Sequence, residues 1–261
     1  MSDIAHNNTI GPNGTYILCE NNRIKTLDND FDDENIDQNI WTQIEELKQY
    51  PHFEQKSQEW LNQRKERIGG SDSASCLGIN PYEPQYRFIL KKVTTVPFKA
   101  DMKIMWWGNA TEDVANMLYE YLYNVSVEGY GFLPHKNINF IGASPDGIVG
   151  KYKRNKKNLT NYVGRMIEIK SVSKRQINMD PDDKIISNIV PKYYIPQVYQ
   201  QLETCGLDKC DFFQIKAYQY GSFDEYKSDI IHNINDGKFR GMIIQLIPKN
   251  INNPEKEKRL S

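Results

Sequence analysis

A chain of 261 residues with 39% hydrophobic and 26% charged residues is long enough for one large α/β domain, or for a domain with an extension. It has no apolar run long enough to span a bilayer and no visible cleavable leader, so a soluble, intracellular protein is expected, with no membrane partner. The net charge of −1 hides an asymmetry: residues 1–50 carry ten acidic and three basic side chains, and the remaining 211 carry a net +6, a balance compatible with nucleic acid.

In chain order, residues 1–50 read as an acidic, partly flexible extension rich in Asn and Asp, with a brief Thr15–Leu18 apolar run. Towards its end Trp41, Ile44 and Leu47 share one face of a short helix over 41–49. The compact domain is expected over 51–250, with a charged tail over 251–261. A helix over 55–67 leads into the Gly69-Gly70 turn, after which Ser71-Asp72 caps a helix to Leu77 that Gly78 ends. Asn109–Tyr123 reads as an amphipathic helix burying Val114, Met117, Leu118, Tyr121 and Leu122. Residues 125–133 and 138–149 read as paired strands, and Lys151–Lys157 as an exposed basic hairpin tip. Pro196 suits the first turn of a helix that turns Val198, Leu202 and Cys205 inward, and strands are expected over 210–218 and, as strand or helix, 239–247. Cys19, Cys76, Cys205 and Cys210 lack CxxC spacing, which argues against zinc and for free thiols.

The chemistry concentrates in Ser144-Pro145-Asp146-Gly147 and, about twenty residues later, Glu168-Ile169-Lys170. On a strand, residues i and i+2 point to one face, so Glu168 and Lys170 project together while Ile167 and Ile169 turn to the core. Asp146, arriving from a neighbouring strand, supplies a second carboxylate. Such a set suits Mg²⁺, which takes hard oxygen ligands, with the lysine free to orient a water. The competing reading of Glu168 and Lys170 is a charge pair on a half-exposed sheet.

Other residues carry two readings each. Glu112 has capping-box spacing from Asn109, or it ligates or orients a metal-bound water. Gln197 and Gln201 share a helix face that is either merely solvated or turned into the cleft. Arg64 and Ser71 flank the Gly69-Gly70 turn as a surface arginine and a cap, or as a pocket for a terminal phosphate. Lys151, Lys153, Arg154, Lys156 and Lys157 form a solvated tip or a grip on a phosphate backbone.

The order Trp-x-x-x-Arg, Gly-Gly-Ser-Asp, Trp-Gly-x-x-x-Glu, Ser-Pro-Asp-Gly, Glu-Ile-Lys, Gln-Val-x-x-Gln resembles the lambda-exonuclease, or YqaJ-type viral recombinase, family of the PD-(D/E)xK nucleases, over residues 55–220. The resemblance implies a restriction-endonuclease-like α/β (α+β) core: a mixed central β-sheet flanked by helices. It implies Mg²⁺, with Mn²⁺ as substitute, held by Asp146, Glu168, the Ile169 main-chain carbonyl and Glu112. Lys170 and Gln197 match its catalytic lysine and glutamine, and Arg64 and Ser71 match residues that receive a 5′-phosphate, with Gln201 beside the DNA. The implied activity is digestion of linear duplex DNA from 5′ ends, with a strand-annealing partner, self-association and a viral or phage-type origin. The extension before residue 50 and the segment 173–188 have no counterpart in that pattern.

Overall fold

The computed structural model describes residues 38–51, 53, 57–94, 102–172, 190–217 and 219–233, together with the hairpin β1 (Cys19–Glu20) and β2 (Arg23–Ile24). The expectations for 1–18, 173–188, 239–247 and 251–261 therefore fall outside the described residues. The chain divides at Gln219–Tyr220 into two compact units. In the second, α7 (Phe223–Asn233) begins beneath a small cluster in which Tyr220 and Phe223 pack on Tyr226.

The first unit is built on a four-stranded mixed sheet. Its strands, in chain order, are β3 (Val125–Glu128), β6 (Gly147–Lys153), β7 (Met166–Ser171) and β8 (Cys210–Ile215), adjacent in that order. β3 and β7 run antiparallel to β6, and β8 runs parallel to β7. A separate pair, β4 (Leu133–Pro134) with β5 (Gly142–Ala143), extends the segment before β6. The parallel step from β7 to β8 requires a crossover, and α6 (Ile195–Cys205) lies within it. Helices cover both faces of the sheet, so the mixed sheet flanked by helices read from the sequence is present.

β7 alternates between two cores. Ile167 and Ile169 pack with Ala115 and Tyr119 of α5 (Met102–Tyr123) and with Val125 and Val149. Met166, on the other face, joins Ile44 and Leu47 of α1 (Gln38–Lys48), Leu133, Ile148 and Cys205. Glu168 follows Met166 on that second face and is fully buried. The half-exposed charge pair is thereby excluded.

Several boundaries differ from the sequence reading. α2 spans Gln58–Glu66 with Ser57 as its cap. Ser71 caps no helix; it lies in a 3-10 turn, Gly70–Asp72, that runs into the short α3 (Ser73–Cys76). α5 begins at Met102, because Gly108 inside a helix costs only about 1 kcal/mol and the helix has a whole sheet to pack on. Asn109 and Glu112 are consequently mid-helix, and the capping box does not form.

The buried face of α5 differs as well. Val114, Met117 and Tyr121 are 44%, 63% and 58% exposed, and the sheet instead receives Thr111, Ala115 and Tyr119. Small Ala115 admits close approach, and the Tyr119 hydroxyl reaches Asp211 Oδ2 at 2.5 Å, so polar anchoring outweighs the bulkier apolar stripe. The long strands expected over 125–133 and 138–149 are broken where Gly129 and Gly131 and then Ser144-Pro145 interrupt pairing.

Gly142 lies beneath the Phe132 ring. A Cβ there would come within 2.4 Å of the ring and 2.8 Å of the Leu133 carbonyl oxygen. Backbone cannot yield as a side-chain tip can, so Gly142→Ala should destabilise the fold by roughly 1–3 kcal/mol. A urea or thermal melt will show it as a lowered midpoint.

Candidate active site

The site forms where β6 leaves β7. The two strands pair only at Gly147↔Ile167 and Ile148↔Met166. Beyond that point the β7 edge is capped by a side chain: Ile169 N–H donates to Asp146 Oδ2 at 2.7 Å. The Ser-Pro-Asp-Gly turn thus places its carboxylate beside Glu168 and Lys170 and opens a wedge between the strands.

Glu168 has three side-chain donors. Lys170 Nζ binds its Oε1, Gln197 Nε2 binds the same oxygen at 2.6 Å, and Gln201 Nε2 binds Oε2 at 2.9 Å. Both glutamines come from α6, one turn apart. Gln201 also donates to the Ser144 carbonyl at 3.2 Å and is 1% exposed. Its amide, expected beside DNA, is committed here to Glu168 and to the turn that carries Asp146. Gln197 is buried in the wedge, as a cleft-facing residue would be.

Like charge is concentrated here. Burial, then the charge of Glu168, pushes the Asp146 carboxyl up to about 8, with Glu112 adding to the effect and Lys170 and the Ile169 N–H opposing it. Burial pulls Lys170 down, but Glu168 and Asp146 outweigh it, so the ammonium is held above the usual lysine range. Glu112 reaches this group from α5, which is tied to β7 by a 2.5 Å bond from Thr111 Oγ1 to Ser171 Oγ.

Whether a divalent cation fits is decided by the donors. Among the described residues no three His, Cys, Asp or Glu side chains cluster tightly enough to enclose an ion unaided. Asp146, bonded to the Ile169 N–H, and Glu168 are hard oxygen donors whose mutual repulsion a cation would relieve, with the Ile169 carbonyl on the same strand as a further oxygen donor. Mg²⁺ binds through one or two carboxylates and keeps positions for water and phosphate, so the set fits it.

A second pair lies on the Gly69-Gly70 turn. Arg64 Nη2 donates to Ser71 Oγ at 2.8 Å, with its guanidinium 4.7 Å from the Trp60 ring centroid and 5.9 Å from that of Phe132. Burial lowers the Arg64 pKa and Asp72 opposes the shift, but an arginine remains charged. The turn fits against α6 because it lacks side chains: a Cβ on Gly70 would stand 3.0 Å from Gln201 Cγ.

Two residues that shape the site were missed in the sequence. Gln200 Nε2 donates to the Ile68 carbonyl at 2.8 Å and the Gly142 carbonyl at 2.9 Å, and its oxygen accepts from Ser73 Oγ at 2.8 Å. One amide thus joins α6 to the Arg64 turn and to the strand entering Asp146. A signal existed, since 197, 200 and 201 follow i, i+3, i+4 spacing. Lys92, on α4 (Gln85–Val93), donates to the carbonyls of Arg64 at 2.7 Å and Arg67 at 2.6 Å and pairs with Asp72 at 2.9 Å. No local pattern marks it.

The basic run lies elsewhere. Lys151 and Lys153 are in the distal part of β6, with Arg154, Lys156 and Lys157 in the turn beyond, at the end opposite Asp146. Lys151 pairs with Glu45 at 3.0 Å and sits over Trp41, and Arg154 over Tyr121. The tip does not line the wedge. Cys76, Cys205 and Cys210 are free thiols.

The YqaJ-like viral recombinase domain matches residues 59–208, more than half of the chain and every residue of this site. The chain belongs to the YqaJ-like viral recombinase family. The uncharacterized protein R354 of Acanthamoeba polyphaga mimivirus is 37% identical over 226 residues, covering 84% of this chain and 40% of that protein. Protein D345L of African swine fever virus (strain Badajoz 1971 Vero-adapted) is 27% identical over 206 residues, 68% of this chain and 55% of its own. The chain therefore spans about half the length of these viral relatives. An alkaline exonuclease from Laribacter hongkongensis is similar to 63% of the chain, with 76% of its own length covered, 21% identity and a TM-score of 0.45. Among the described residues, no helix is long and apolar enough to cross a membrane.

The raised Asp146 pKa has a thermodynamic consequence. With metal chelated, the folded state holds a proton that the unfolded state has released between the ordinary carboxyl value and about pH 8, so stability falls as pH rises through that window. Asp146→Asn, which keeps an acceptor for the Ile169 N–H, should raise the melting midpoint at pH 8 by a few degrees and leave it unchanged at pH 3.5. Calorimetry in chelator at both pH values checks the sign.

Proposed function

We propose that this YqaJ-like chain is a metal-dependent DNA exonuclease with a restriction-endonuclease-like core, hydrolysing linear duplex DNA from 5′ ends. The observation that carries the reading is the convergence of Asp146 and Glu168 with Lys170 and Gln197 at the wedge between β6 and β7. Structural charges rarely gather fully buried beside a second, protonatable carboxyl.

The geometry supports the following roles. Asp146, Glu168 and the Ile169 carbonyl would hold Mg²⁺, or Mn²⁺ in its place, with Glu112 adding negative charge from α5. The bound ion supplies Lewis-acid stabilisation of charge developing on the scissile phosphate. Lys170, kept protonated by its acidic neighbours, donates hydrogen bonds to the attacking water or a phosphate oxygen. Gln197 orients Glu168 and offers a neutral amide that does not compete for the cation. Gln201 and Gln200 fix the helix carrying that amide.

Direction of digestion rests on the Arg64–Ser71 pair. A guanidinium already bonded to a hydroxyl, stacked on Trp60 and partly withdrawn from water is prepared for a terminal phosphate. Gln200 bonds Ile68 and Ser73 on either side of Ser71 and ties that segment to α6, so an end bound at Arg64 is held in register with the reaction centre.

Two variants test the reading on end-labelled linear duplex with Mg²⁺. Lys170→Ala should lower the rate at least a hundredfold with duplex binding nearly unchanged, and retained hydrolysis would remove its role. Arg64→Ala should preserve turnover on 5′-hydroxyl ends while abolishing any preference for 5′-phosphate ends. Covalently closed circular duplex should survive the wild-type protein, and cutting of the circle would indicate an endonuclease with the same centre.

A further inference from the structure

One group of side chains around the wedge has no part in the chemistry above. Lys170 Nζ lies 4.8 Å from the centroid of the Tyr194 ring. Tyr194 packs on Tyr193 at 4.4 Å between centroids, and Tyr193 meets Tyr82 edge-to-face at 5.6 Å. Three rings in series thus lead from the ammonium to the surface. Tyr193 and Tyr194 close the 3-10 turn Lys192–Tyr194 that opens α6, whereas Tyr82 comes from the loop between α3 and α4. The series spans the mouth of the site between two elements distant in sequence.

Packing explains its inner end. Tyr194 contacts Phe212 of β8 at 5.4 Å and is half-buried. It does not explain the outer end. Tyr82 is 72% exposed, so at least one face of its ring is bare to solvent. Its backbone is nonetheless held firmly: Tyr82 N–H donates to Asn80 Oδ1 at 2.9 Å, Asn80 Nδ2 donates to Ser75 Oγ at 2.8 Å, and Ser75 Oγ donates to Glu83 Oε2 at 2.8 Å. Lys91 secures Glu83 at 2.8 Å. An exposed aromatic ring on an ordered support, joined by other rings to a cationic centre, is a surface for flat π-systems.

We propose that Tyr82, Tyr193 and Tyr194 form a stacking wall for unpaired nucleobases of the strand whose phosphate lies at Lys170. Bases within a duplex stack on one another and cannot reach such a ring, so the occupant is a strand already separated from its complement. Stacking on tyrosine tolerates any base, which suits sequence-independent movement past the centre. The wall draws its link to hydrolysis from the nuclease reading, but its binding role stands or falls separately.

The test uses the full chain in chelator, which suppresses hydrolysis, with a short 5′-phosphorylated single strand carrying 2-aminopurine as its second base. Wild-type protein should quench the 2-aminopurine fluorescence on binding. Tyr82→Ala should abolish most of the quench and weaken binding about tenfold, the loss expected for one base stack, while Tyr82→Trp retains both. An oligonucleotide abasic at that position should bind the wild type and Tyr82→Ala equally. Unchanged quench and affinity in Tyr82→Ala, or an equal loss on the abasic strand, would overturn the wall and leave Tyr82 a packing residue. A wild-type protein that shows the Tyr82-dependent quench but no Mg²⁺-dependent hydrolysis would defeat the nuclease reading and keep the wall.

Discussion

A carboxylate with no exposure to water needs partners, and the requirement of Glu168 organises this molecule. A buried charge stripped of one partner costs about 3–5 kcal/mol, comparable with a large part of the net stability of a domain. Glu168 receives one ammonium from its own strand and two amides from α6. α6 must therefore lie across β7 at one height and one rotation. That position in turn leaves room only for a turn without side chains at Gly70 and lets Gln200 reach the carbonyls of Ile68 and Gly142. The Arg64–Ser71 pair and the acidic centre are thus held against the same helix.

The same place is where the fold gives up stability. β6 and β7 share only two paired positions before they separate, and Asp146 replaces the next ladder partner with a side chain whose ionisation is opposed by its surroundings. Under the proposed function, this repulsion is what a bound cation would relieve. The hydrophobic clusters on either side of β7, around Ile167 and Ile169 and around Met166 and Ile148, hold the strand while its end carries unfavourable charge.

How much of this the sequence disclosed follows from the range of the forces involved. The Glu168/Lys170 alternation and the sheet carrying it were legible because strand period and a long apolar run are local properties. α6 was legible from Pro196 and its inward residues. The face of α5 was not: Val114, Met117 and Tyr121 and, against them, Thr111, Ala115 and Tyr119 each make a helical stripe, and the choice depended on Asp211 and Ser171, far along the chain. The helix expected from Asn109 begins at Met102, because the cost of Gly108 is local and its compensation tertiary. Gln201 could be read as merely solvated or turned into the cleft, and its burial against Glu168 is set by a partner 33 residues away that helical spacing does not reveal. Lys92 left no local signal, since two of its partners are backbone carbonyls that every sequence possesses and the third, Asp72, lies twenty residues away.

The contact between the Gly69-Gly70 turn and α6 also governs how the family's members can be recombined in the laboratory. A Gly70 methyl would stand 3.0 Å from Gln201 Cγ, and Gln200 is joined to Ser73 and Ile68, so a change in either piece has to be matched in the other. Chimaeras between relatives will fold best with 68–73 and 197–201 transplanted as a matched cassette, because either half moved alone meets a lock cut for another key.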